Sequence, residues 1–257
     1  MEQINSNLIL KEFYECDIQR YKEGKIPRTL EDLAKIYPFH REALSSLLVT
    51  RLELAHFFKD QLRYIIKKIK KDFGSAHTHY QEVVEQNLKE ELGKLPEYGG
   101  PHEKDREIFL TALGVDYATW VNRLGTYRRP EKICQATKFI LDAVKPLINL
   151  GGMSGLIVLW YWEHRLSRGG YGEFCILLKA CEKLFSEFKK NVYQPGDVLY
   201  WLASHAEHDT HHAKAVADVL DNNAMMDRDV TRSILNTMDS YFEVYWSLLG
   251  VYHGTGR

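Results

Sequence analysis

The chain has 257 residues, long for one ordinary domain, short for two, and ample to bury a core that keeps a polar site inside. With 34 basic and 35 acidic side chains and a formal net charge of −1, it has no overall field to draw nucleic acid or an anionic membrane, so the expected partner is a small molecule. The four cysteines, Cys16, Cys134, Cys175 and Cys181, are scattered without a CxxC pair, and the N-terminus lacks an apolar signal core followed by a cleavage site, so a reducing, cytoplasmic setting is expected.

Helix formers dominate, and extended turn signals are confined to 94–101, 128–130, 151–152, 168–172 and 193–196. Periodicity predicts helices over 5–23, 29–37, 40–73, 76–92, 102–113, 131–148, 153–167, 172–190, 196–221 and 227–249. No segment alternates as a strand would, and no repeat or low-complexity tract divides the chain. The expectation is an all-α fold and a single domain over 1–257, with 1–40 as an N-terminal helical extension. The stretch 146–162 carries no charge, but its 17 residues include Pro146, Asn149, Gly151, Gly152 and Gly155. A membrane span wants about 18 or more strongly apolar residues, so this is expected to be a buried core helix.

The densest chemistry lies in Ser204-His205-Ala206-Glu207-His208-Asp209-Thr210-His211-His212. At about 100° per residue, His205, Asp209 and His212 fall within roughly 60° of one another on a helix. The same face is apolar on either side, with Val198, Trp201 and Leu202 before and Val216, Val219 and Leu220 after. Three ionisable groups that interrupt a core stripe need compensation, and a divalent metal supplies it directly. His208 and His211 turn progressively away from this face.

One helix offers too few ligands, so acids and histidines on other apolar faces complete the set. Glu91 shares a stripe with Tyr80, Val84, Asn87 and Leu88, while Glu90 lies at its edge. His102 follows Pro101, a residue suited to a first helical position, and shares a face with Phe109 and Leu113. Glu163 closes the uncharged run beside Leu156, Leu159 and Trp160. Three carboxylates and three imidazoles suit iron or manganese: structural zinc sites favour thiolates and calcium favours oxygen alone. Six ligands are enough for two ferrous ions with open positions.

The pattern resembles the haem-oxygenase-like di-iron oxidases, whose ligands run Glu, His, Glu, then His-x3-Asp-x2-His. Asn87-Leu88-Lys89-Glu90-Glu91-Leu92-Gly93 is similar to the family's Asn-Leu-x-x-Glu-x-Gly, and His102 with Ala112-Leu113-Gly114 to the following His and Ala-Leu-Gly. Glu163 falls on the middle-helix glutamate, and His205, Asp209 and His212 on the final triad. The matching stretch covers roughly 80–220. The 42-residue gap from Glu163 to His205 is long for the family, which makes Glu173 a rival for the middle position.

The resemblance implies a bundle of about seven core helices holding two Fe(2+) per chain without haem. It implies O2 as co-substrate and a small substrate bearing a carboxylate or amine, oxidised by N-oxygenation or carbon–carbon cleavage in a biosynthetic pathway. Fatty-acid decarboxylation or desaturation is the alternative within the family, and an external electron donor and a homodimer are compatible with it. Trp120, Tyr117, Trp160, Tyr161 and Trp162 are candidate pocket walls. Arg123, Arg128, Arg129, Arg165 and Arg168 are candidate carboxylate clamps.

Two other readings stand beside it. A ferritin-like bundle wants two Glu-x-x-His motifs, and Glu53-Leu54-Ala55-His56 with Asp209-x-x-His212 gives one and an imperfect second. A thiaminase-like hydrolase or plain ligand-binding helical domain would use a cysteine or nothing, and leaves six metal-type groups unexplained.

Overall fold

The structure, a computed structural model, describes Leu10 and residues 40–74, 78–95, 102–125, 133–167, 172–221 and 227–249. Every regular element among the described residues is helical: α1 (Arg41–Phe73), α2 (Thr78–Glu91), α3 (His102–Ala112), α4 (Tyr117–Leu124), α5 (Gln135–Asn149), α6 (Gly152–Ser167), α7 (Glu173–Leu184), α8 (Tyr200–Asp221) and α9 (Arg228–Leu248), with a single 3-10 turn over Ser186–Phe188. The fold is all-α.

Local chemistry sets the helix ends. His40 accepts from the Ala43 amide at the start of α1, and Gly74 ends the helix at φ 58, where a side chain would be strained. Leu44, Leu47, Leu48, Leu52, Leu62, Ile65 and Ile69 give α1 its buried stripe. The uncharged run is divided at Gly151, whose φ is 156, between the end of α5 and the first three turns of α6, up to Trp162. None of the described helices is long and apolar enough to cross a membrane.

α6 is the axis of the fold. It is buried from Ser154 to Leu166 and packs against α1, α5, α7, α8 and α9. Glycines let it lie close to α1: a Cβ on Gly152 would stand 2.7 Å from Phe73 Cε2 and 3.0 Å from the Ile69 Cα. α2 and α3 lie against α1, α8 and each other, so the inner faces of α2, α3, α6 and α8 meet on one side of the axis.

The sequence expectations need four corrections. The segment 114–130 was expected to hold no helix, but Asp116 caps the amides of Ala118 and Thr119 and starts α4, which Gly125 ends at φ 55. The helix expected over 172–190 stops at Leu184 and tightens into the 3-10 turn. The helix expected from 196 starts at Tyr200, after Asp197 has accepted the Gln194 amide in a turn. The one expected from 131 starts at Gln135. The helices expected over 5–23 and 29–37 lie outside the described residues, except for the buried, helical Leu10.

Candidate metal centre

The six side chains singled out from the sequence come together as two trios. Glu91 from α2, His102 from α3 and His205 from α8 each offer a ligand atom, all within 4.8 Å of one another. Glu163 from α6 with Asp209 and His212 from α8 does the same. All but the half-buried His212 are buried. The i, i+4, i+7 spacing on α8 aims three groups at a single interior space, and that space is about 20 Å3, room for one or two bodies the size of water. It is scaled to ions.

Each trio is held from outside. His205 donates Nδ1–H to the Trp201 carbonyl at 2.8 Å, which leaves Nε2 facing Glu91 Oε1 at 3.7 Å. His212 donates Nε2–H to the buried carboxylate of Glu90, leaving Nδ1 3.7 Å from Glu163 Oε2 and 3.8 Å from Asp209 Oδ1. A histidine tied by one nitrogen to a carboxylate or carbonyl, with the other turned into a cluster of acids, is the arrangement that orients a metal ligand. Asn87 donates to Glu163 Oε1 at 2.8 Å, and Arg106 to Glu91 Oε2 at 3.4 Å. Asp209 Oδ2 and His102 Nδ1 are buried without a hydrogen-bond partner. Such orphans are costly unless a cation joins them, so the residues present fit a metal.

The electrostatics agree. Burial pushes the Glu91 carboxyl up, but the His205 hydrogen bond and the nearby His102 and Arg106 outweigh it and hold Glu91 well below the usual carboxylate range. Burial, with His205 close by, pushes His102 down to about 3, so its imidazole is neutral and free to ligate. Burial also disfavours charge on His205 and His212, yet Asp209 and Glu91 raise the first, and Glu163 and Glu90 the second. Burial and the charges of Glu163 and Glu91 push Asp209 up to about 8, against the pull of His205.

A sign follows from these shifts. Metal binding needs Asp209 ionised and His212 neutral, and both are raised, so at neutral pH an ion taken up by this trio must displace protons. Apparent affinity is therefore expected to rise with pH through the neutral range, by roughly tenfold per unit for each proton released. Calorimetry in two buffers of different ionisation enthalpy counts those protons, and affinity independent of pH between about 6 and 8 contradicts the assignment.

The rival groups lie elsewhere. Glu173, the alternative middle-helix ligand, is buried in an ion pair with Arg51 and belongs to neither trio. Glu53 of the ferritin-like reading accepts from the Cys134 amide at 2.7 Å and pairs with Arg123, while His56 packs edge-on against Trp120. Neither joins a metal-type cluster among the described residues. Burial pushes the Cys134 and Cys181 thiols up, away from nucleophilic use. His211 is exposed, and the side chain of His208 is outside what is described.

Of the candidate clamps, Arg165 faces Tyr161 and Asp239, Arg123 faces Glu53, and Arg128, Arg129 and Arg168 lie outside the described residues. Among the described residues the arginine that lines the cavity is Arg51, paired there with Glu173. Of the candidate walls, Trp162 lines it, while Tyr161 bonds Asp239 at 2.8 Å and Trp160 stacks on His164. Sequence reasoning missed Arg51, Arg106 and the part played by Glu90. Arg51 does fall on the stripe of Leu47, Leu48, Ala55 and Phe58, and Arg106 on that of His102, Phe109 and Leu113. Comparison with family models, with curated proteins and with solved structures finds no match to this chain.

Proposed function

We propose that the protein is a non-haem di-iron oxygenase of the haem-oxygenase-like kind, using O2 to oxidise a small amino-acid-like substrate. The observation that carries this reading is the pairing of two buried O/N trios on four helices around one ion-sized space. Glu91, His102 and His205 would hold one ferrous ion and Glu163, Asp209 and His212 the other. Adjacent bound ferrous ions supply the electrons and open coordination positions that O2 reduction needs. Five buried carboxylates, Glu90 and Asp105 among them, less the Arg106 guanidinium on Glu91, formally balance two divalent cations, an economy that a single ion does not explain.

The chain's own residues supply position and exclusion. The Trp201 carbonyl and the Glu90 carboxylate fix the ring planes of His205 and His212. Phe58, Trp162, Leu166, Phe174 and Trp201 form an apolar wall that keeps water from the ligands. Arg51 also borders this space, with its charge taken up by the buried Glu173. An all-helical fold wound on a buried central helix supports the family assignment.

The test is oxygen uptake by protein loaded with ferrous iron under anaerobic conditions, across a panel of amino acids and fatty acids. Uptake is expected to depend on iron and to quicken with an amino acid. Iron that oxidises slowly, at a rate no panel member alters, would mean iron binding without oxygenase chemistry.

A further inference from the structure

Arg106 meets Glu91 through Nη1, at 3.4 Å. Its Nε and Nη2, the edge of a guanidinium that grips a carboxylate with two parallel bonds, are buried without a partner on a side chain that is 1% exposed. Two further buried nitrogens without partners lie on the helices packed beside α3: Nε1 of Trp120 on α4, 4% exposed, and Nδ1 of His56 on α1, 8% exposed. The His56 and Trp120 rings meet edge to face with centroids 5.7 Å apart. Burial, Lys59 and Arg106 together push His56 down to about 4, so its imidazole is neutral at pH 7 and can donate from Nδ1. Tyr117 stacks on Trp120 at 5.8 Å, but its hydroxyl has an acid at hand in Glu103.

Buried donors left without acceptors are costly. Water answers them poorly, because a water molecule has two hydrogens of its own to place and this wall offers donors. An anion brings acceptors only, and the planar, two-oxygen anion that fits a guanidinium edge is a carboxylate. The chain's own acids are engaged elsewhere. Asp105 is buried, but it stands about 100° round α3 from Arg106 and lies 3.9 Å from His102 Nδ1, on the metal side. Glu103 pairs with Lys59 at 3.4 Å, Asp60 pairs with Arg63 at 2.7 Å, and Glu107 is exposed.

We propose that Arg106 Nε and Nη2, Trp120 Nε1 and His56 Nδ1 form a carboxylate-binding site between α1, α3 and α4, separate from the space between the two trios, which none of these three residues lines. The site is linked to the metal centre through Arg106. In the metal-free chain Glu91 takes up the guanidinium charge, and a cation on Glu91 leaves that charge to the carboxylate, so each ligand is expected to tighten the other. Carboxylate binding itself does not rest on the oxygenase reading.

The test is nitrogen-15 NMR of the full chain labelled at tryptophan, titrated with sodium acetate against sodium chloride at matched ionic strength. Trp120→Phe assigns the indole N–H signal of Trp120 by its loss. That signal is expected to move saturably with acetate and not with chloride, and Zn2+ to tighten acetate several-fold. Trp120→Phe, which keeps a ring and removes the donor, is expected to weaken acetate by roughly tenfold in calorimetry, the cost of one hydrogen bond to a charged group. Arg106→Lys, which keeps the charge and loses the fork, should weaken it at least as much. Amino acids that displace acetate would identify the occupant as the substrate's own carboxylate, and amino acids that do not would identify it as a separate small acid; both outcomes uphold the site. A Trp120 signal that ignores acetate with and without Zn2+, or an acetate affinity that neither variant changes, overturns the site and leaves the donors to water. An affinity that Zn2+ does not change overturns the link alone. Since acetate binding is read without iron or O2, either failure leaves the oxygenase reading to its own test.

Discussion

Asp209→Ala is expected to lower ferrous binding from two ions to one and to abolish iron-dependent oxygen uptake while leaving helix content unchanged. Asp209 is 3% exposed, its Oδ2 has no partner, and burial with Glu163 and Glu91 nearby raises its carboxyl to about 8. Burial thus favours its neutral form in the metal-free protein, and its removal costs the fold little. Removing a ligand costs the trio more than the roughly 10- to 100-fold that loss of an outer partner costs. His211→Ala, on the exposed face of the same helix, should still bind two ions. Iron counted after anaerobic loading, beside far-UV circular dichroism, decides the matter. Equal loss in both variants would mean that the wrong face of α8 has been assigned.

Arg51→Met is expected to destabilise the protein severely without changing its metal stoichiometry. Arg51 and Glu173 are both buried and paired, and Arg51 also packs over the Phe174 and Tyr245 rings, with its guanidinium carbon 5.5 Å and 6.0 Å from their centroids. Breaking such a pair strands a buried carboxylate and costs about 3–5 kcal/mol. For a chain of this size that lowers the melting temperature by on the order of 10 °C. Replacing both partners, Arg51→Met with Glu173→Leu, should restore most of the loss, because the stranded charge goes with it. Thermal unfolding of the metal-free forms measures this. If the double variant loses an ion, Glu173 belongs to the metal site after all.

Much of the site was legible because helices carry their geometry in their spacing. His205, Asp209 and His212 stand out as ionisable groups inside an apolar stripe, a pattern that survives folding because α8 is a regular helix. Glu163 stands out because α6 is apolar on every side. The partners of these groups were less legible. Glu90 lies at the edge of a stripe, and what faces it, His212, is 122 residues away and brought there by packing of α2 on α8. A helical wheel says which way a side chain points and nothing of its neighbour.

α4 was missed for a local reason. Tyr117, Thr119, Trp120 and Val121 are indifferent helix formers, and only the Asp116 cap and the Gly125 stop marked it. Arg51 and Arg106 sat in plain view on apolar stripes. Long basic side chains there usually reach out to solvent, and these two do not because acids are buried beside them.

Anomalous scattering from crystals grown with Mn2+ tests the central claim most directly. The account predicts two peaks per chain about 3.5–4 Å apart, one touching Glu91, His102 and His205, the other Glu163, Asp209 and His212. A single peak, or metal held at Glu53 and His56 with both trios empty, would contradict it.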